Sequence, residues 1–340
     1  MLKMLSYVVA AISLTSQVAI ASEQKLSFNE YVQQLKTEAI EKGYAKPLVD
    51  AAFKNVTYRK KVVKADKTQP EFVQTLDTYL PKRVNNYVVN KAKKLATENR
   101  ELLKRISDHY GVQPRFIVSI WALESSFGKH QGKIPVISAL TTLAYDGRRE
   151  ALFKKNIYAA LDIATSEKIN IQDLKGSWAG AMGQTQFMPT SYMAYAQDFD
   201  GDGRKDIWRS KADVFASIAN YLKTEGWDNS LTWGRQVKLP KEFDMAHAIP
   251  RGTKSRKDWL EKWSKTELTL PQWNELGLRR MNGKPLPNRE IKAALVFPDD
   301  KNGRAYLIYD NYKTLMHWNR SYYFATTIGY LADRIKNGMH

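Results

Sequence analysis

Residues 117–128 read Ile117-Val118-Ser119-Ile120-Trp121-Ala122-Leu123-Glu124-Ser125-Ser126-Phe127-Gly128, one carboxylate at the end of a short apolar run. Pro114 is suited to open a helix here, and Gly128 to stand just past its end. On that helix Ile120, Trp121 and Phe127 lie four before, three before and three after Glu124, all on its side of the cylinder. Apolar neighbours withdraw water from a carboxyl, which raises its pKa and lets it hold a proton near neutral pH. Such a group can protonate a glycosidic oxygen. A capping or ion-paired glutamate would look the same in isolation, so the reading depends on the rest of the chain.

Downstream lies Lys175-Gly176-Ser177-Trp178-Ala179-Gly180-Ala181-Met182-Gly183-Gln184-Thr185-Gln186-Phe187-Met188-Pro189. Its glycines permit close backbone approach. Ser177, Gln184 and Gln186 offer neutral donors and acceptors beside Trp178 and Phe187, a mixture that suits sugar rings. Packing of one helix against another through small residues is the plainer reading of Gly180. A third stretch, Asp198-Phe199-Asp200-Gly201-Asp202-Gly203-Arg204, puts aspartates at positions 1, 3 and 5 and glycine at 6 of an EF-hand pattern. Arg204 would offer its backbone carbonyl at 7, and Asp206 falls at 9. Position 12 is Arg209 rather than glutamate, so this is not a regular EF-hand, and Asp213 lies further on as a carboxylate able to close a longer loop. Carboxylates this crowded repel without a cation, and hard oxygen donors without His or Cys favour a structural calcium ion.

These stretches, with Tyr145-Asp146-Gly147-Arg148-Arg149 and Ala219-Asn220-Tyr221-Leu222, resemble in order and spacing the lytic murein transglycosylase B family across residues 79–227. His317-Trp318-Asn319-Arg320-Ser321 extends the match toward the C-terminus. The resemblance implies a goose-type, lysozyme-like α-rich core. It also implies non-hydrolytic cleavage of the β-1,4 bond between N-acetylmuramic acid and N-acetylglucosamine in peptidoglycan, giving 1,6-anhydro ends. A single glutamate, Glu124, would act as acid and then as base, with no cofactor for catalysis. Ser125 offers no carboxylate beside it, and Asp146 stays open as a second one. By resemblance, Ser177, Gln186, Tyr221, Asn319 and Trp318 belong to the substrate site, and Tyr79 matches a sugar-stacking tyrosine. Arg148 and Arg149 match a basic pair suited to lactyl or stem-peptide carboxylates, or else pair with Glu150. Relatives with Tyr at position 318 leave the role of Trp318 open.

The remaining pattern is mainly α. A capping box at Ser27–Glu30 opens a helix that Gly43 closes, and Pro47 starts a second. Residues 57–80 are mixed and basic. A long helical pattern runs from Pro81 to Tyr110, with further helices at 137–144, 150–166, 213–225 and 321–336. Residues 235–290 read as loop-rich with short helices near Trp259 and Leu270. Residues 291–297 and 306–309 form the expected β-hairpin. The expected organisation is a leader (1–21), an N-terminal helical segment (22–80), a catalytic core (81–235, with the acidic loop at 198–213) and a C-terminal segment (236–340) that completes the cleft.

Lys3, a short apolar run and Ala19-Ile20-Ala21 read as a secretory leader, too short to span a bilayer permanently. The chain has 340 residues, no cysteine and a net charge of +18. No disulfide, thiolate metal site or lipid-attachment cysteine is therefore available. The expected setting is periplasmic, for a monomer without a transmembrane segment. The excess of base suits an anionic wall polymer better than nucleic acid, for which no binding motif is present. Two rivals remain, a hydrolytic muramidase and a non-catalytic, calcium-braced wall-binding protein.

Overall fold

A helix that is apolar on every side must lie inside a core, and the helix of the 117–128 stretch does so. In the structure, a computed structural model describing residues 26–67, 74–250, 252–253 and 255–336, eight residues between Phe116 and Ser125 of that helix are buried. The expected leader lies outside the described residues. In chain order, the helices before it are α1 (Phe28–Glu41), α2 (Lys46–Phe53), α3 (Lys60–Lys67), α4 (Leu76–Arg83), α5 (Asn86–Glu98) and α6 (Arg100–Tyr110). The buried helix is α7 (Pro114–Ser125), followed by β1 (Ile134–Pro135), α8 (Val136–Asp146), α9 (Glu150–Ser166), β2 (Lys175–Gly176), α10 (Pro189–Tyr195) and α11 (Lys211–Thr224). Then come β3 (Gly234–Lys238), α12 (Arg256–Thr266), β4 (Leu268–Thr269), α13 (Leu270–Glu275), β5 (Arg279–Arg280), β6 (Lys292–Val296), β7 (Ala305–Ile308), α14 (Asn311–Trp318) and α15 (Tyr322–Ile335). Among the described residues no helix is long and apolar enough to cross a membrane.

The mainly α reading holds, with two corrections to its detail. The pattern from Pro81 to Tyr110 is not one helix. Asn85 caps α5 by accepting from Val88 N, and Asn99 divides α5 from α6 while its amide donates to Leu95 O at 2.7 Å. A side chain that competes for backbone groups in this way interrupts a helix that apolar spacing alone would continue. The basic stretch before Pro81 is itself helical, as α3 and α4, with Pro81 inside α4.

The second correction concerns the hairpin. Strands β6 and β7 pair as expected, with Leu295 opposite Leu307, but they are the middle of a five-stranded antiparallel sheet ordered β4-β6-β7-β3-β5. The added strands come from the stretch read as loop-rich, and two of them, β4 and β5, have two residues each, too few for an alternating signal. Past the exposed Lys292 that opens β6, the residues of β6 and β7 are apolar and buried because both faces are covered. Ala294, Val296, Tyr306 and Ile308 join the large helical core, while Ala293, Leu295, Ala305 and Leu307 face a second, smaller core with Trp273 and Leu278. The sheet thus ties α14 to the helical body. Asn311, at the start of α14, is fully buried and exchanges hydrogen bonds with Asp228 N and O at 2.7 Å each.

Candidate active site

Glu124 stands on the last turn of α7, which packs against α15, α5, α6 and α11. The turn that ends the helix begins earlier than Gly128. Ser126, Phe127 and Gly128 take φ of 52°, 61° and 82°, so the left-handed cap is Ser126. Ser125 closes this turn: its hydroxyl donates to Trp121 O at 3.1 Å and accepts from Gly128 N at 3.0 Å. Two successive non-glycine residues in the left-handed region cost roughly 1–3 kcal/mol each, a strain that collects at functional sites.

The partner of Glu124 comes from the far end of the chain. Trp318 Nε1 donates to Glu124 Oε1 at 2.7 Å. Arg83, at the end of α4, donates through Nη2 to Leu123 O at 3.3 Å, and its charge acts on Glu124. Burial raises the carboxyl most, and Trp318 and Arg83 pull it back. The balance leaves it pushed up to about 7. The side chain is nonetheless only half-buried by surface, so it is deep in the protein and still reachable. Ile120 and Trp121 are themselves buried, and the Trp121 indole turns to Gln184. Asp146, open from sequence as a second carboxylate, pairs with Lys67 at 3.6 Å.

Trp318 ends α14 and packs in an aromatic cluster, 4.6 Å from Tyr221 and 5.3 Å from Phe187 between ring centroids. Tyr221 also meets Tyr195 at 4.3 Å. Asn319 follows directly as the C-cap of α14, its N–H donating to Leu315 O at 3.1 Å. Tyr79 lies against Tyr323 at 5.3 Å, with the Arg83 guanidinium 5.9 Å over its ring. Thus Glu124, Trp318, Tyr221 and Phe187 form one linked group, and Arg83 joins Tyr79 to it. Gln184, read from sequence as a donor and acceptor for sugar, gives its amide to Trp121 and Trp208 instead, and Arg83 has no counterpart in the sequence reading. Nothing in the pattern around Arg83 marks it, because its value comes from the break between α4 and α5.

Ser177 and Gln186 serve their own loop. The Ser177 hydroxyl accepts from Ala179 N and Ala181 N, at 3.3 and 3.2 Å. Gln186 has φ 52° and its amide donates to Gly183 O at 2.8 Å and Gln131 O at 3.3 Å. The close approach that the glycines permit is to protein. A Cβ on Gly176 would stand 2.3 Å from Ala181 O, and one on Gly183 2.8 Å from Ile207 O.

Arg148 and Arg149 converge on Asp66, whose side chain is 3% exposed, rather than on Glu150. Glu150 instead accepts from Tyr31 OH at 2.8 Å. Both guanidinium groups stay about half-exposed.

The acidic loop gathers fewer groups than its spacing suggests. Carboxylate oxygens of Asp198, Asp200 and Asp202 lie within 4.8 Å of one another, all exposed. Asp206 accepts from Trp208 N and Arg209 N at 3.0 and 2.9 Å. Asp213 is fully buried and accepts from Phe199 N and Asp206 N, both at 2.8 Å. The carboxylates of Asp206 and Asp213 brace the backbone and lie outside the cluster of Asp198, Asp200 and Asp202. Arg204 is exposed, and its N–H binds Asp202 Oδ1 at 2.9 Å. Three hard oxygen donors on one face of a glycine-bent loop fit a calcium-sized cation.

The transglycosylase SLT domain family matches residues 27–333. The membrane-bound lytic murein transglycosylase B of Escherichia coli K12 is 33% identical over 257 residues, 75% of this chain and 64% of that protein, so the match spans just under two thirds of its length. SltB3 from Pseudomonas aeruginosa, solved with NAG-anhNAM-pentapeptide, aligns at TM-score 0.82 with 35% identity, covering 92% of this chain and 80% of that one. The Escherichia coli lytic transglycosylase SLT35, solved with calcium, aligns at TM-score 0.74 with 27% identity, covering 90% and 93%. The chain belongs to the transglycosylase SLT domain family, among its members like lytic murein transglycosylase B.

Proposed function

We propose that the protein is a lytic transglycosylase that cleaves the glycan strands of peptidoglycan and leaves 1,6-anhydromuramic acid ends. The observation that carries this reading is Glu124, reachable, pushed up to about 7, and held by the Trp318 indole at 2.7 Å. A carboxyl in that range is largely protonated at slightly acid pH and can still release and regain its proton near neutrality. The proton passes from Glu124 to the glycosidic oxygen as the C1–O bond breaks. The 2-acetamido oxygen of the muramic acid stabilises C1. The Glu124 carboxylate then takes the proton of the C6 hydroxyl, whose oxygen closes on C1. No water is consumed and the glutamate returns protonated. Two-carboxylate glycosidases need a partner for the second half; here Asp146 is engaged with Lys67.

Tyr221, Asn319 and Tyr79 are the proposed substrate contacts, with Trp318 beside them on Glu124 and Ser177 and Gln186 holding the adjoining loop. Arg148 and Arg149 are proposed to meet stem-peptide carboxylates with the faces that Asp66 leaves exposed. SltB3, solved with NAG-anhNAM-pentapeptide and with NAG-NAM-pentapeptide, supports a muropeptide substrate. The leader read in residues 1–21 supports periplasmic action. A structural calcium ion on Asp198, Asp200 and Asp202 is supported by their clustering and by the calcium complex of SLT35. When bound it would relieve carboxylate repulsion and take no part in the sugar chemistry. The test is digestion of purified sacculi by wild type and Glu124→Gln. The variant should lose on the order of 10²–10⁴ in rate, and undiminished lysis would remove the assignment.

A further inference from the structure

Glu124 has two oxygens, and the structure treats them differently. Oε1 accepts from the Trp318 indole at 2.7 Å, and among the described residues no hydrogen bond engages Oε2. An indole N–H can donate and can never accept. We propose that Trp318 fixes a division of labour: Oε1 is a permanent acceptor for the indole, and Oε2 alone carries the proton to and from the sugar. This rests on the function proposed above and makes Trp318 a positioning residue.

A neutral carboxyl has one carbonyl oxygen, a good acceptor, and one hydroxyl oxygen, a poor one. With a donor fixed at Oε1, the matched arrangement puts the carbonyl at Oε1 and the hydroxyl at Oε2. The opposite tautomer leaves the indole facing the weaker acceptor. When Glu124 ionises, the bond to Oε1 becomes charge-assisted and shortens or strengthens. The indole therefore keeps Oε2–H aimed at the glycosidic oxygen before the transfer and holds the anion in the same pose afterward. In the first half the Oε2–H bond breaks and the hydrogen bonds to the leaving oxygen, which keeps the electrons of the C1–O bond. In the second half the C6 hydroxyl gives its proton back to Oε2. The carboxyl need not rotate between the two halves.

The indole cannot easily turn away. Tyr221 and Phe187 hold its faces and edges, and the neighbouring His317 is bound to Glu225, which also accepts from Tyr195 OH at 2.6 Å. Around Glu124, the charged group acting directly is Arg83 of α4. Behind the indole stand Tyr221 of α11 and Glu225 just after it, Tyr195 of α10, His317 of α14 and Arg256 of α12. Burial keeps the Tyr221 hydroxyl protonated far above neutral pH and lowers the basicity of His317.

The experiment follows the indole N–H resonance of Trp318 in uniformly 15N-labelled full-length protein, assigned by its loss in Trp318→Phe. The expected result is a resonance that titrates with the midpoint of Glu124 and stops titrating in Glu124→Gln. An indole resonance blind to Glu124 overturns the proposal, and this readout needs no activity. Kinetically, Trp318→Phe keeps a ring and deletes the donor. It should lower kcat, leave KM for glycan strands within about twofold, and move the basic limb of kcat/KM upward by on the order of one pH unit. A loss confined to KM with an unmoved limb makes Trp318 a sugar-facing ring and overturns the proposal. If the wild type releases no anhydro ends, the proposed function fails whatever the resonance does.

Discussion

The Trp121 indole donates to the amide oxygen of Gln184 at 2.7 Å, and both side chains are buried. The other end of that amide donates to Trp208 O at 2.8 Å. Gln131 also reaches Trp208 O, at 3.1 Å, and Gly128 O at 3.1 Å. The helix that carries Glu124, the glycine-punctuated loop and the segment after the acidic loop are therefore joined through two glutamine amides. Glu124 is positioned by this network one turn below it, while its own contact comes from α14.

Replacing Gln184 with Leu should destabilise the protein by about 1–3 kcal/mol, because the Trp121 N–H and Trp208 carbonyl lose their partner in a buried setting. Denaturant unfolding measures it. A change below about 0.5 kcal/mol would mean that the network does not brace α7.

Glu124 makes stability depend on pH. Its folded pKa is raised from 4.5 to about 7. The folded state therefore binds the proton more tightly than the unfolded chain. The stabilising contribution is complete below 4.5 and is lost as pH rises through about 7. Glu124→Gln removes this penalty, so the variant should be more stable than wild type at pH 8, by up to ~3 kcal/mol, with the gain fading toward pH 4. Melting curves at both pH values check it; a gain equal at both would show that the carboxyl is not strained by burial. Activity of the wild type should fall as pH rises through about 7, since the acid must be protonated to start the reaction.

Calcium and the acidic loop give a paired test. Asp202→Ala should lower the Tm in calcium and leave it nearly unchanged in chelator. Asp213→Ala should destabilise the protein in both buffers, by about 1–3 kcal/mol, because the Phe199 and Asp206 N–H groups lose their acceptor. Equal effects of Asp202→Ala in the two buffers would count against the ion.

Asp66 predicts a structural cost at a site first read as a substrate contact. Asp66→Asn should destabilise by roughly 3–5 kcal/mol if the pairing behaves as a buried ion pair, less in proportion to the exposure of the two arginines. Arg148→Ala should weaken digestion of stem-bearing strands more than of stem-free glycan. Equal weakening of both would leave the arginines with the structural role alone.

Much of this was legible in the sequence, and the limits have physical causes. The apolar stretch around Glu124 reported both its burial and its raised pKa, because helix spacing and composition are local. The identity of the group touching it was not local: Trp318 arrives through β7 and α14, and a pairing across the whole chain leaves no periodic trace. The acidic spacing found Asp198, Asp200 and Asp202. It could not show that Asp206 and Asp213 face backbone N–H groups, since a ligand and a turn-bracing aspartate obey the same spacing. Two-residue strands such as β4 and β5 are too short to show alternation. Asn85 and Asn99 divided a helix that apolar spacing continued, because their caps depend on which backbone groups are free.

Product analysis of intact sacculi digested by the purified wild-type protein tests the central claim most directly. Mass spectrometry should find muropeptides ending in anhydromuramic acid, one water lighter than reducing ends, and the same digest with Glu124→Gln should lack them. Reducing ends from the wild type, with solvent oxygen incorporated at C1 in 18O-labelled water, would contradict the account.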